Sequence, residues 1–228
     1  MSRPSISRVA HASNMRWLMS LAHMEPSPVS RWVALRAALA IGLPLGVYLF
    51  LTSERQLLAN KPVYQAVSLV VNVLRSVPFL ILLIVLIPFT RLIMGSALGV
   101  GGAIPPLVVG AAPFFARLVE NVLRELDPGI SEACRAMGAN SKQTVLWALL
   151  PEATTGIISA VVVTTIMLIS YSAMSGVIGG GGLGDLAIRF GYQRYQTEVM
   201  IVTVVILILM VQLVQSVGDY LVQHFNRK

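Results

Sequence analysis

An all-α bundle of about five membrane-spanning helices is the fold class that the sequence predicts. Two features of composition and one of order predict it. Of the 228 residues, 56% are apolar and 12% are charged, against about 45–50% and about 25% in an ordinary soluble domain. The charges also punctuate long apolar runs and form no continuous stripe. A hydrocarbon core about 30 Å thick takes about 20 helical residues per crossing, so the apolar content furnishes five spans comfortably and six at most. Little length remains for a folded extramembrane domain of ~100 residues, which disfavours a built-in ATPase, kinase or DNA-binding module. Energy for any vectorial process then comes from a gradient or from a partner.

Charge-free stretches place the spans. The first runs from Ala37 to Ser53, with Arg36 snorkelling to the interface. The second is one long helix beginning near Val63 and running through Ser76 to Thr90, with Arg75 facing protein or water. The third lies within Leu92 to Ala116, the fourth runs from after Glu152 to the glycine run Gly179 to Gly182, and the fifth is Val199 to Gly218. Residues 1–36 form a polar N-terminal tail, 37–218 the membrane domain, 117–152 a cytoplasmic loop within it, and 219–228 a C-terminal tail. With that loop inside, the cytoplasmic side receives Arg55, Lys61, Arg117, Arg124, Arg135, Lys142, Arg227 and Lys228, and the outer loops receive Arg91, Arg189 and Arg194. This asymmetry fits the positive-inside rule. The N-terminal tail runs against it, carrying Arg3, Arg8, Arg16 and Arg31 with only Glu25 to offset them. Its apolar stretch Trp17 to Ala22 is shorter than the core of a signal peptide.

The loop from Arg117 to Pro151 carries the most information. Leu118, Val119, Val122, Leu123 and Leu126 recur at helical spacing. Asp127-Pro128-Gly129 breaks that helix and caps the next, because Asp accepts from free N-terminal amides and Pro suits a first helical position. Ile130, Ala133, Cys134 and Met137 follow at i, i+3, i+4 and i+7, the spacing of a buried stripe. Gly138 ends the helix in the left-handed conformation. Asn140 with Gln143 forms a capping box for a third helix leading through Leu150-Pro151 into the fourth span.

Glu132-Ala133-Cys134, Gly138 and Leu150-Pro151 resemble the EAA loop of ABC-importer permeases: Glu-Ala-Ala, three residues, Gly, nine residues, Ile, one residue, Leu-Pro. Cys134 stands for Ala and Ala148 for Ile. Asn72 to Phe79, Ile87 to Arg91, Gly110 to Phe114, Ala136 to Ala139 and Tyr171 to Met174 are similar to the methionine-importer permeases, from about Ile41 to the C-terminus. Upstream of that the similarity fades. The resemblance implies a type I importer fold in a bacterial inner membrane, with the C-terminus cytoplasmic. It implies a second copy of the chain, two ABC ATPase subunits that bind ATP and Mg, and an external methionine-binding protein. No cofactor is then expected in this chain. Glu132 to Gly138, with Leu150 and Pro151, becomes the ATPase-coupling loop, and Met174 a translocation gate.

Other signals have plainer readings. Gly179 to Gly184 matches GxGxxG without the strand and βαβ context that dinucleotide binding needs, so it reads as flexible backbone closing a span. Gly42 and Gly46, Gly95 and Gly99, and Gly176 and Gly180 have the spacing of close helix contacts. Pro44, Pro78, Pro88, Pro105, Pro106 and Pro113 sit in or beside spans, where freed carbonyls need neighbours or water. Cys134 is the sole cysteine and His11, His23 and His224 lie in polar tails, so no metal or nucleophilic centre is expected, nor a nucleic-acid partner. The spans as drawn hold no Asp, Glu or His, which argues against an ion-coupled secondary transporter. The alternatives are import of another amino acid or small peptide, a secondary transporter in spite of that, and a non-transporting scaffold.

Overall fold

The computed structural model describes residues 28–226 apart from 55, 98 and 180, and leaves undescribed the side chains of 28–31, 100 and 178. The expectations for residues 1–27, Arg55, Gly180, Arg227 and Lys228 therefore lie outside the described residues. Among the described residues ten helices follow one another. They are α1 (Pro28–Thr52), α2 (Lys61–Ser76), α3 (Phe79–Val85), α4 (Ile87–Met94), α5 (Gly99–Arg124), α6 (Pro128–Ala136), a composite α7, α8 (Thr154–Ser175), α9 (Gly182–Leu186) and α10 (Thr197–Phe225). Helix α7 starts as Ser141–Gln143, widens into a π turn over Thr144–Leu149 and closes with Leu150–Glu152; α9 runs on into a second π turn, Ala187–Tyr192.

Helices α1, α5, α8 and α10 are each long and apolar enough to cross a membrane alone, and α2 with α3 forms a pair bent by 103°. The packing decides how that pair counts. A Cβ on Gly42 would meet the Ala112 carbonyl, and one on Gly46 would meet the Ala116 carbonyl and Val119, so numbers rise together along both helices and α1 runs parallel to α5. The chain between them therefore crosses an odd number of times, and its short, bent helices α2, α3 and α4 have the length for one return. Helix α8 then runs back, since a Cβ on Gly156 would strike Val122. Helix α10 reverses again: Gly218 lies at Val162, and Met210 lines the same crevice as Ile169. Five crossings result, and the helical permease bundle expected from the sequence is present.

Helix α5 is the central post. Its first half packs Ala103, Leu107 and Ala111 against Ala34, Ala38, Phe79, Leu83 and Leu168; its second half packs Phe115, Val119 and Leu123 against Phe50, Val145, Leu149 and Ala160. Small residues let α1 and α5 approach backbone to backbone, which substitutes for a hydrophobic drive that lipid does not supply. The Gly42 and Gly46 pair thus serves contact within one subunit. Gly95 and Gly99 instead hold positive φ with nothing near their faces.

Three expectations are corrected. The first helix begins at Pro28, nine residues before Ala37, because Arg36 is exposed while Ala34, Leu35 and Ala38 already face the core. The second span is broken: Val77 is extended (φ −77, ψ 124) and Pro78 opens α3, as the missing proline N–H and its steric demand on the preceding residue require. The third span continues through Arg117 and Glu120 to Arg124, and Leu92 belongs to α4. The described glycines of the run, Gly179, Gly181 and Gly182, take positive φ where the span closes, and just beyond them Gly184 is closely packed: a Cβ there would strike the Ala173 backbone of α8.

Candidate functional site

The third correction has a chemical cause. Glu120 is fully buried on α5, and its carboxylate accepts from Arg117 three residues before it at 2.6 Å and from Arg124 four residues after it at 2.7 Å. Tyr64 donates to the same carboxylate at 3.1 Å, and Arg117 also reaches the Ser68 hydroxyl at 2.8 Å and the Asn72 amide oxygen at 2.9 Å. Arg124 donates to the Tyr64 hydroxyl at 2.9 Å. One acid is thus shared by two bases on one helical face, which leaves one positive charge, and the cluster ties α5 to α2. The statement that the spans hold no acid is therefore overturned. The spacing Arg117, Glu120, Arg124 was the available signal, hidden because the three charges read as the start of a loop. A carboxylate already matched by two guanidinium groups has the character of a structural tie, not of a site that loads an ion.

Just beyond Arg124 the chain turns into α6 on local signals. The Asp127 carboxylate accepts from the Gly129 amide at 2.8 Å, with Pro128 in the first helical position. At the other end Gly138 takes φ 78, its amide bonds to the Arg135 carbonyl at 2.9 Å, and the Ala139 amide bonds to the Cys134 carbonyl at 3.0 Å. This pair of bonds satisfies carbonyls that the helix end leaves free. Asn140 and Gln143 close a reciprocal capping box, with both bonds at 2.9 Å. The chain then passes the π turn to Leu150 and Pro151.

The stripe on α6 is only partly buried. Cys134 is buried and Ile130 half-buried, but Ala133 is exposed and Met137 is 78% exposed. A polar cavity of about 110 Å³, lined by Gln56, Arg124, Asp127, Glu132 and Arg135 among others, separates α6 from the ends of α1 and α5. The helix therefore rests on one edge and projects the other. Leu146 and Trp147 on α7 are also exposed, Trp147 by 75%. Glu132, Met137 and Trp147 belong to one projecting helix-turn-helix knob.

Met174 lies at the far end of α8, 41% exposed. Twenty residues of helix, about 30 Å at 1.5 Å per residue, separate it from the Thr154 end next to Pro151. The coupling residues and the gate residue named from the sequence are thus not assembled into one site: the former lie on α6, its turn and α7, before the Thr154 end of α8, and Met174 lies near the other end of α8. Next to Met174, Ala173 meets Gly184, and three residues back Tyr171 stacks on Phe79 of α3, centroids 4.2 Å apart and planes 13° apart. Among the described residues no group of three His, Cys, Asp or Glu side chains is placed to hold a metal ion.

The family described as "Binding-protein-dependent transport system inner membrane component" matches residues 42–228. The chain belongs to this family. The permease is a multi-pass membrane protein, and its relatives are close. It is 50% identical to the Vibrio cholerae "Probable D-methionine transport system permease protein MetI" over 83% of this chain and 84% of that one. It is 44% identical to the Bacillus subtilis "Methionine import system permease protein MetP" over 79% and 81%. A solved structure of the MetNI methionine ABC transporter in an inward-facing conformation contains a chain 45% identical to the permease. The two superpose with a TM-score of 0.89, covering 94% of this chain and 99% of that one. A crystal structure of an amino acid ABC transporter with histidines shares the fold, with TM-score 0.68 at 21% identity.

Proposed function

We propose that the permease is the membrane subunit of an ATP-driven importer of methionine, acting as a homodimer with two ATPase subunits and an external binding protein. The observation that carries the reading is the projecting knob: a capped helix, a left-handed Gly138 and a second capped helix, joined through Ala153 to α8. Its exposed Met137 and Trp147 and its exposed Glu132 suit burial against a partner. The names of the relatives, all methionine permeases, supply the substrate.

In this reading the loop 117–152 and the C-terminus face the cytoplasm. Glu132, Ala133, Cys134, Gly138, Leu150 and Pro151 seat the ATPase, which holds ATP and Mg. Movement of the ATPase pair shifts α6, and the Glu120 cluster passes the shift from α5 to α2. Helix α8 carries it to Met174, the gate, about 30 Å away. Each of the two states requires its own contacts, as any such link must.

Reconstituted complex loaded with ATP should accumulate labelled L- and D-methionine, and should continue when the proton gradient is collapsed. The permease alone should hydrolyse no ATP. Uptake that follows the proton gradient and ignores ATP would overturn the reading, and uptake of a different amino acid alone would overturn the substrate.

A further inference from the structure

Helix α2 places Gln65, Ser68, Asn72 and Arg75 at i, i+3, i+7 and i+10, a polar stripe along one face of a membrane segment. Ser68 and Asn72 are engaged by Arg117. Arg75 is exposed, and among the described residues no carboxylate pairs with it. Its guanidinium lies over the Phe114 ring, 5.6 Å from the centroid. Phe114 is ten residues up α5 from Arg124, about 15 Å of helix and half the thickness of a bilayer core about 30 Å across. A charge at that depth marks a path for polar cargo or water by default.

Phe114 is the aromatic neighbour of Arg75, and a second ring cluster, Phe79 with Tyr171, lies one turn away. Phe79, one turn on across the Val77-Pro78 break, stacks on Tyr171. A Cβ on Gly110, one turn before Phe114, would lie 3.3 Å from Tyr171 and 3.7 Å from Phe79. Three helices thus bring an unpaired cation, an aromatic pair and, three residues beyond Tyr171, Met174 into one row. A guanidinium fork matches a carboxylate, aromatic rings favour a thioether, and their faces attract an ammonium group. Resting on the methionine reading, we propose that Arg75 and the half-buried rings of Phe114 and Tyr171, the latter backed by the buried Phe79, form a transit site for a zwitterionic amino acid. Arg75 takes the carboxylate and the rings take the apolar side chain.

The test uses the permease assembled with its ATPase in proteoliposomes, and a diazirine analogue of methionine that keeps the carboxylate, the ammonium group and an apolar side chain. Photolysis is done without the binding protein, at millimolar probe, so that protein's selectivity does not enter. Adducts are expected on the peptides bearing Phe114 and Tyr171, displaced by methionine and not by its carboxamide. Arg75→Gln should lower both the labelling and methionine uptake about tenfold, with Arg75→Lys intermediate. The competition on the unaltered complex carries the test if Arg75→Gln does not assemble. Labelling that is absent from this pair, unchanged in Arg75→Gln, or equally displaced by the carboxamide would overturn the site while uptake persists. A parental complex that takes up no methionine would overturn the functional reading and the site with it.

Discussion

Glu120 is the residue on which the membrane interior most depends. A buried ion pair contributes little net stability compared with apolar residues of similar size, yet removing one partner costs about 3–5 kcal/mol because a bare charge is left behind. Here two guanidinium groups share one carboxylate, so the cost of Glu120→Ala falls mainly on the largely buried Arg117, which keeps Ser68 and Asn72, while water screens the exposed Arg124. We expect its melting temperature in detergent to fall markedly, with Glu120→Gln, which keeps hydrogen-bond acceptance, falling less. A Glu120→Ala permease that melts with the parent would mean that the cluster is solvated and does not hold α2 to α5. The same residue corrects the sequence argument on energy source. An acid in a span is informative only once its neighbours are known, and the three charges on α5 make a closed set.

At the scale of elements, the turn between α6 and α7 makes a sharp case because space and backbone strain separate cleanly. Nothing lies within 4 Å of a Cβ built on Gly138, yet its φ is 78, and the left-handed region costs other L-residues about 1–2 kcal/mol. Gly138→Val should therefore insert normally and retain less ATPase in a pull-down, with uptake lost in parallel. Gly138→Asn, which tolerates this conformation, should keep most of both. Equal behaviour of the two variants would separate the turn from coupling. This region was legible in the sequence because its determinants are local: Asp127, Pro128, Gly138, Asn140 and Gln143 act on backbone groups within three residues. What was not legible depends on distant parts. The exposure of Ala133 and Met137 reflects a helix standing off its own bundle. The 103° break lies inside an apolar run that hydropathy reads as continuous. The early start of α1 was masked by Arg36, whose exposure no local pattern encodes.

For the whole molecule, the parallel course of α1 and α5 fixes an odd number of crossings and puts the two ends of the described chain on opposite faces. In a background with Cys134 replaced, cysteine at Ser141 should be labelled only from the face that binds the ATPase, and cysteine at Gln193 only from the other. Labelling of both from one side would remove the crossing assigned to α2, α3 and α4. One further property follows from α10. It buries only Val199, Thr203 and Gly218 among its residues, and its acidic residues Glu198 and Asp219 stand about 31 Å apart along the axis at 1.5 Å per residue. That separation matches the hydrocarbon thickness of a bilayer, about 30 Å. The helix is therefore a gauge. Lipids with longer or shorter acyl chains would have to be met by leaning or by local stretching of the film. Because α10 lies along α8, acyl-chain length becomes a setting for the tilt of the helix that spans from Pro151 to Met174.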